Sequence, residues 1–100
     1  MSCNFKINSH RNGENLHLKL EGNFDGSSAL QLINYLRSNI RKSKKIFIHT
    51  NCLKDCCFFG TNEFQKNFDL VCSRSVTYVF TGDRATQLEP QGRRNISITS

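Results

Sequence analysis

The densest group of side chains able to bind a metal lies between positions 49 and 57. His49, Cys52, Cys56 and Cys57 offer the nitrogen and sulfur ligands that zinc prefers. Their spacing matches no common zinc pattern, and adjacent cysteines cannot easily direct both thiolates at one tetrahedral centre. We therefore predict no metal site, and we interpret most of the cysteines as small buried hydrophobic residues.

A cysteine nucleophile would need a lowered pKa, and Cys57 is the best placed because a helix is expected to begin nearby. No spacing ties it to any of the three histidines, His10, His17 and His49. The sequence also lacks paired carboxylates, a glycine-rich phosphate loop and a serine-elbow motif. We predict no catalytic residue, no enzymatic activity and no cofactor.

Length and composition limit the architecture. One hundred residues, 37% of them hydrophobic, suffice for a single domain spanning 1–100. No run approaches the roughly 20 apolar residues of a membrane span, and Met1–Lys6 lacks the apolar core of a signal peptide. The five cysteines show no disulfide-scaffold spacing, so we expect free thiols. Together these features predict a cytoplasmic protein that does not insert into a membrane.

The net charge of +6 would attract nucleic acid, an acidic protein surface or anionic lipid, and it does not choose among them. The basic residues form two short groups, Arg41–Lys45 and Arg93-Arg94. We interpret the first group as a solvated helix end, where cations complement the helix dipole.

Apolar and polar residues alternate in 4–9 and again in 16–21, with turn residues in 11–15 between them, which predicts a hairpin with one buried face. Residues 22–28 should break the second strand and offer Asp25, Ser27 or Ser28 as the cap of a first helix. That helix is indicated by apolar residues at helical spacing, namely Ala29, Leu32, Ile33, Leu36 and Ile40.

The second half of the chain predicts further alternation of strands and helices. Ile46-Phe47-Ile48 is a continuous apolar run, typical of a central strand that is covered on both faces. Residues 54–62 should form a loop, and Thr61 or Asn62 should cap a second helix. One face of that helix would consist of Phe64, Phe68, Val71 and Cys72.

After that helix we expect a parallel strand at 76–80, a short helix around 84–88 and a last strand at 95–99. The order is β-β-α-β-α-β-α-β, with the helices on one side or unevenly on both sides.

This order resembles the STAS family of bacterial anti-sigma factor antagonists. Gly22, Phe24 and Asp25 match the family's Leu-x-Gly-x-(Leu/Phe/Ile)-Asp pattern before the first helix, and Gly60 stands where the family has Gly after Asp-Ser-Ser. The resemblance implies an α/β fold, with a mixed sheet of about five strands, a parallel core, two main helices and a short third. It also implies a signalling protein that regulates transcription by protein-protein interaction.

The resemblance places the partner-binding surface before and at the start of the second helix, together with the first helix's N-terminus. Mapped onto this sequence, the surface consists of Asp25, Ser27, Ser28, Asp55, Cys57, Phe58, Phe59, Gly60, Thr61 and Glu63. The implied partner is an anti-sigma factor or a related kinase, and the oligomeric state stays open. We weigh Phe58 and Phe59 equally as interface anchors and as core residues tucked under the helix.

In the phosphorylation-switched relatives, the hydroxyl residue just before this Gly accepts the phosphate. Here that position is Phe59, so a switch at that position is lost. Thr61 is an off-register alternative acceptor, although a Thr at a helix start is usually a cap. The resemblance therefore implies a constitutive antagonist or a scaffold subunit.

Two alternatives remain open. One is a STAS subunit of another signalling or transporter-linked assembly. The other is a small basic nucleic-acid-binding protein, suggested by the charge and the ten aromatic residues. Two features argue against nucleic-acid binding. The outward positions of the second strand are His17, Lys19 and Glu21 rather than aromatic residues of the kind on which bases stack. Helices packed on a parallel sheet should also cover it, so that bases cannot stack on the sheet.

Overall fold

Strands and helices follow one another in the predicted order. The computed structural model describes residues 5–72, 75–90 and 96–99, without the side chains of 97–99. Its elements are β1 (Lys6–Asn12), β2 (Asn15–Phe24), α1 (Gly26–Asn39), β3 (Lys45–Cys56), α2 (Phe58–Asn67), β4 (Thr77–Thr81), α3 (Ala85–Leu88) and β5 (Ile96–Thr99). Short 3-10 turns at Ile40–Lys42 and Phe68–Leu70 continue α1 and α2. The predicted Arg93-Arg94 group and the thiol of Cys3 lie outside the described residues.

The five strands form one mixed sheet in the order β1-β2-β3-β4-β5. β1 pairs antiparallel with β2, and the other three pairings are parallel. This confirms the predicted sheet with a parallel core, two main helices and a short third. Because the strand order never reverses, successive right-handed crossovers all place their helices on the same face of the sheet.

The core lies between that face and the helices. Alternate residues of β2, β3 and β4 are buried there, with helix residues such as Leu32, Leu36 and Phe64 packed against them. Phe64 contacts Phe24, Phe68 and Phe80 edge to face, at centroid distances of 6.2, 5.6 and 6.1 Å. Edge-to-face pairs add to the stabilisation from burial alone, so α2 is fixed on the sheet by its aromatic side.

The opposite face carries none of the described helices, and we call it the open face. Its central residues are His17, Phe47, His49, Val79 and Thr81, of which only Val79 is buried. The expectation that Ile46-Phe47-Ile48 is covered on both faces is therefore wrong. Ile46 and Ile48 are buried, but Phe47 is half-buried because all the described helices lie on the other side.

The first three strands are longer than the sequence pattern indicated. The hairpin is confirmed, but its turn contains only Gly13 and Glu14, and Gly13 has a φ of 66° that favours glycine. The predicted break after Glu21 is wrong, because β2 continues to Phe24 through two register irregularities. Gly22 has a φ of 93°, so glycine permits the irregular backbone without ending the pairing.

Candidate functional site

The predicted loop between the third strand and the second helix is reduced to one residue. β3 pairs with β2 as far as Cys56, α2 begins at Phe58, and only Cys57 lies between them. The N–H of Cys57 donates to the carbonyl of Phe24 at 3.0 Å, and its own carbonyl accepts the N–H of Thr61 at 3.1 Å. The segment is therefore fixed to the end of β2 at its centre.

Phe58 and Phe59 are the most exposed large hydrophobic side chains in the described part of the chain. They are 77% and 73% exposed and lie in the first turn of α2. The alternative in which both are tucked under the helix is therefore wrong. Because successive helical residues differ by about 100° in direction, the pair presents a broad apolar surface at the N-terminal end of α2.

Gly60 brings the two halves of the predicted surface together. It is buried, and a Cβ at this position would lie 2.6 Å from the carbonyl oxygen of Phe24 and 2.9 Å from the Cα of Asp25. Only a residue without a side chain permits this approach. The α2 start and the β2–α1 turn therefore form one continuous surface, from segments about thirty residues apart in sequence.

Asp25 is confirmed as the cap of α1. Its Oδ1 accepts the N–H of Ser28 at 2.9 Å and the Ser28 hydroxyl at 3.0 Å. The Ser28 N–H bond is the main cause that lowers the pKa of Asp25. Ser28 is fully buried and its hydroxyl also reaches the Asn23 carbonyl, so it supports the turn from inside. Ser27 is exposed beside it.

The prediction that Thr61 or Asn62 caps the second helix is wrong. α2 begins earlier, at Phe58, and Cys57 occupies the cap position. The Thr61 hydroxyl donates instead to the carbonyl of Phe58 at 3.0 Å, within the first turn. A hydroxyl that bonds a carbonyl three residues back satisfies a helix acceptor but leaves the first N–H groups uncapped.

The other two acidic residues of the predicted surface, Asp55 and Glu63, differ in their surroundings. Asp55 is exposed and accepts the N–H of Cys56 at 2.9 Å. Glu63 is partly buried and forms a 3.8 Å ion pair with Lys66 on the same helix. At this exposure such a pair stabilises the helix only slightly.

Four cysteines are free thiols, as predicted, but the expectation that most of them are buried is wrong. Cys52 and Cys72 are exposed, and Cys56 and Cys57 are partly buried. Cys72 therefore does not belong to the buried face of the second helix. Burial raises the pKa of the Cys56 thiol to about 11, which opposes nucleophilic chemistry there. In residues 5–72, 75–90 and 96–99, no three His, Cys, Asp or Glu side chains are close enough to hold a metal ion.

Sequence reasoning missed a cleft next to Phe58. Cys56, Phe58, Thr61, Gln65 and Gln87 line an open space of about 370 Å³ between α2 and α3. The amide nitrogen of Gln65 bridges α2 to α3 by donating to the carbonyls of Gln87 at 3.0 Å and Glu89 at 3.3 Å. The cleft depends on the packing of the two helices, and no local motif marks its glutamines.

Comparison with known proteins gives matches only among solved structures. No family model matches the chain, and no curated protein matches it by sequence. The anti-sigma factor antagonist SpoIIAA in its unphosphorylated form superposes with a TM-score of 0.65 at 12% identity, covering 96% of this chain and 87% of SpoIIAA. An anti-sigma factor antagonist from Mycobacterium paratuberculosis gives 0.60 at 12% identity, covering 83% and 72%.

These likenesses confirm the predicted fold. The chain has the mixed sheet and helix arrangement of STAS-type antagonists over most of its length. Within the described ranges, no helix has the length and apolar character that crossing a bilayer requires.

Proposed function

We propose that this chain is a non-enzymatic STAS-type regulatory domain that binds an anti-sigma factor or a related kinase in the bacterial cytoplasm. Its docking surface combines the N-terminal end of α2 with the turn that precedes α1. The observation that carries the proposal is the pair of exposed phenylalanines, Phe58 and Phe59, in a chain whose fold is that of known antagonists.

The arrangement of this surface has the features of a protein interface. Two adjacent aromatic side chains at 77% and 73% exposure are energetically unfavourable in water, and aromatic residues are enriched among the anchors of interfaces. Ser27, Asp55 and Asn62 are exposed polar residues of the segments that form this surface. An apolar centre with a polar rim is the usual anatomy of a protein-protein contact.

The docking surface is held in place before a partner arrives. Gly60 packs on the backbone of Phe24, and Cys57 is hydrogen-bonded to the same residue. Less conformational entropy is lost on binding when the anchors already sit on rigid elements. The cleft beside Phe58 adds a recess in which a side chain of the partner can be buried.

Phe59 makes the surface insensitive to phosphorylation at the position used by switched antagonists. A phosphate there would bring about two negative charges into the contact, but Phe59 has no hydroxyl to accept it. The hydroxyl of Thr61, two residues later, donates a hydrogen bond to the Phe58 carbonyl. The chain therefore acts as a constitutive antagonist or as a scaffold subunit. A STAS subunit of another signalling or transporter-linked assembly would use the same surface with a different partner.

The test is a comparison of three tagged proteins in lysate from the native organism: wild type, Phe59→Asp and Leu70→Asp. Leu70 is also an exposed apolar residue, at 55%, but it lies in the 3-10 turn beyond α2. We expect wild type and Leu70→Asp to recover a kinase-like anti-sigma factor, and Phe59→Asp to lose it. Titration of the purified partner should then show at least a tenfold weaker affinity for Phe59→Asp only.

Two results would overturn the proposal. One is equal recovery by wild type and Phe59→Asp, which would mean that this surface does not bind the partner. The other is phosphate on residues 55–63 in protein isolated from its native cell, which would show that a phosphorylation switch survives.

A further inference from the structure

A cluster of parallel rings on the open face belongs to no part of the docking surface. The rings of His17 and Phe47 stack with centroids 4.3 Å apart and an interplanar angle of 4°. His49 lies parallel to both, at 5.3 Å from His17 and 6.2 Å from Phe47. The sequence could not reveal this cluster, because the three residues lie on two strands whose register becomes known only from the fold.

Hydrogen bonds hold the rings in this orientation. His17 Nδ1 and His49 Nε2 are 3.0 Å apart and share a hydrogen bond, and His49 Nδ1 bonds the Thr81 hydroxyl at 2.7 Å. One end of the cluster is thus fixed to β4. The rings are oriented before any ligand is present, which lowers the entropy lost on binding.

Two lysines lie next to the rings. Lys45 lies over the Phe47 ring, with its Nζ 5.8 Å from the centroid, and Lys19 is exposed on the adjacent row of the sheet. Residues opposite each other in a β-ladder share a face of the sheet. Lys6 of β1 pairs with Glu21 of β2, so both lie on the open face. Glu21 is occupied by a hydrogen bond from the amide of Asn8. The described residues of this face include three lysines, Lys6, Lys19 and Lys45, and two acidic residues, Glu21 and Asp55, the second of which pairs with Asn23.

An open cleft adjoins the rings. Lys19, His49, Asn51 and Cys52 line a space of about 310 Å³, at the lower end of the volumes of ligand clefts. Its polar side chains comprise a cation, an imidazole and an amide. These are groups that can bond a phosphate or the edge of a base.

We propose that the open face binds single-stranded nucleic acid, with Lys19 and Lys45 next to phosphates and the His17–Phe47–His49 rings against a base. Aromatic rings beside lysines, on a sheet face that carries none of the described helices, are features that single-stranded recognition uses. The expectation that helices cover the sheet and remove it as a platform is wrong for this face. A contact with an acidic protein that depended on charge alone would use the lysines and leave the aligned rings without a role. Binding to an anionic membrane would need an exposed apolar side chain to insert, and this face offers none at its centre, since Val79 is buried and Phe47 is half-buried.

The test is fluorescence anisotropy of a labelled 12-nucleotide oligouridine titrated with the full chain at several salt concentrations. The main variant is Lys19→Gln/Lys45→Gln. The control, Lys42→Gln/Lys66→Gln, removes the same charge from exposed sites at the end of α1 and on α2. We expect at least a tenfold loss of affinity in the main variant, with the salt slope reduced by about 1.4 for two lost contacts, and less than a threefold loss in the control.

Phe47→Leu separates stacking from charge. It keeps an apolar side chain on the sheet and removes the ring, so affinity should fall at least ~5-fold while the salt slope stays unchanged. Circular dichroism checks that this variant is folded, and the lysine variants test the proposal even if Phe47→Leu does not fold.

Equal losses in both lysine double variants would overturn the proposal, because net charge alone would then explain binding. Tighter binding to anionic phosphatidylserine vesicles or to polyglutamate than to oligouridine would also overturn it.

Discussion

Gly60 in α2 lies directly against the backbone of Phe24 at the end of β2. The distance from a Cβ at Gly60 to the Phe24 carbonyl oxygen would be 2.6 Å, and that same oxygen accepts the N–H of Cys57 at 3.0 Å. One backbone carbonyl therefore determines both where α2 begins and how closely it approaches the sheet. The position of the exposed phenylalanines depends on this contact, since they lie between Cys57 and Gly60.

Gly60→Ala should destabilise the protein. The added methyl group would meet backbone rather than a flexible side chain, so α2 must shift, at a cost of about 1–3 kcal/mol in the free energy of unfolding. Gly26→Ala is the matched control, because a Cβ at Gly26 would meet nothing within 4 Å. Urea unfolding should show Gly26→Ala within about 0.5 kcal/mol of wild type or more stable. Equal stability of Gly60→Ala and wild type would contradict the close approach.

Phe58→Ser/Phe59→Ser should leave stability nearly unchanged, although it removes two large apolar side chains. Both are largely exposed, and surface substitutions usually change the free energy of unfolding by less than about 0.5 kcal/mol. Phe64→Ala, about one and a half turns further along α2, should cost about 3–5 kcal/mol because Phe64 is fully buried. Thermal unfolding of the two variants distinguishes these positions. A large loss in the double variant would mean that the pair packs into the core.

Much of the fold was predictable because local patterns suffice for it. The alternation of Leu16, Leu18 and Leu20 indicated a strand with one buried face, and Asp25 indicated the start of α1 by its capping chemistry. The continuous run Ile46-Phe47-Ile48 misled. Which face of a strand is covered depends on the strand order and on the side of the sheet on which the crossovers lie. A run of three apolar residues determines neither of them.

The candidate site was predictable in part. The resemblance placed Asp25 and Phe59 on one surface, and the structure brings their segments together. The start of α2 was misplaced because Cys57 lacks a capping side chain, so capping rules pointed to Thr61 and Asn62 instead. The cleft residues Gln65 and Gln87 could not be found, because they meet only after α2 and α3 pack.

Asp25→Ala should weaken the turn that supports the docking surface. The substitution removes the acceptor of the Ser28 N–H, and loss of a helix cap costs about 1 kcal/mol in the free energy of unfolding. Asp25→Asn tests the charge. Since the Ser28 bond lowers the pKa of Asp25, its stabilising effect is present above about pH 3.8 and is lost as pH falls through the folded value. Below that pH, the stability difference between wild type and Asp25→Asn, followed by urea unfolding, should shrink. A difference that is constant with pH would contradict the role of the carboxylate.

The stability of the open face should depend on pH through His49. Burial is the main cause that lowers the pKa of His49, and the positive charges of His17 and Lys19 act in the same direction. The unfolded chain then binds more protons than the folded one as pH falls below about 6.5. The free energy of unfolding should therefore decrease with falling pH until the folded pKa of His49 is passed.

Two variants test that dependence. His49→Gln removes the titrating group and keeps an amide able to bond Thr81, so its loss of stability between pH 7.5 and 5.5 should be smaller than that of wild type. Lys19→Gln removes one of the charges that lower the pKa of His49, so its loss should lie between the two. Urea unfolding across this pH range gives the three slopes. The titration of Asp25 lies below the range and does not contribute. Identical slopes for wild type and His49→Gln would show that folding leaves the proton affinity of His49 unchanged.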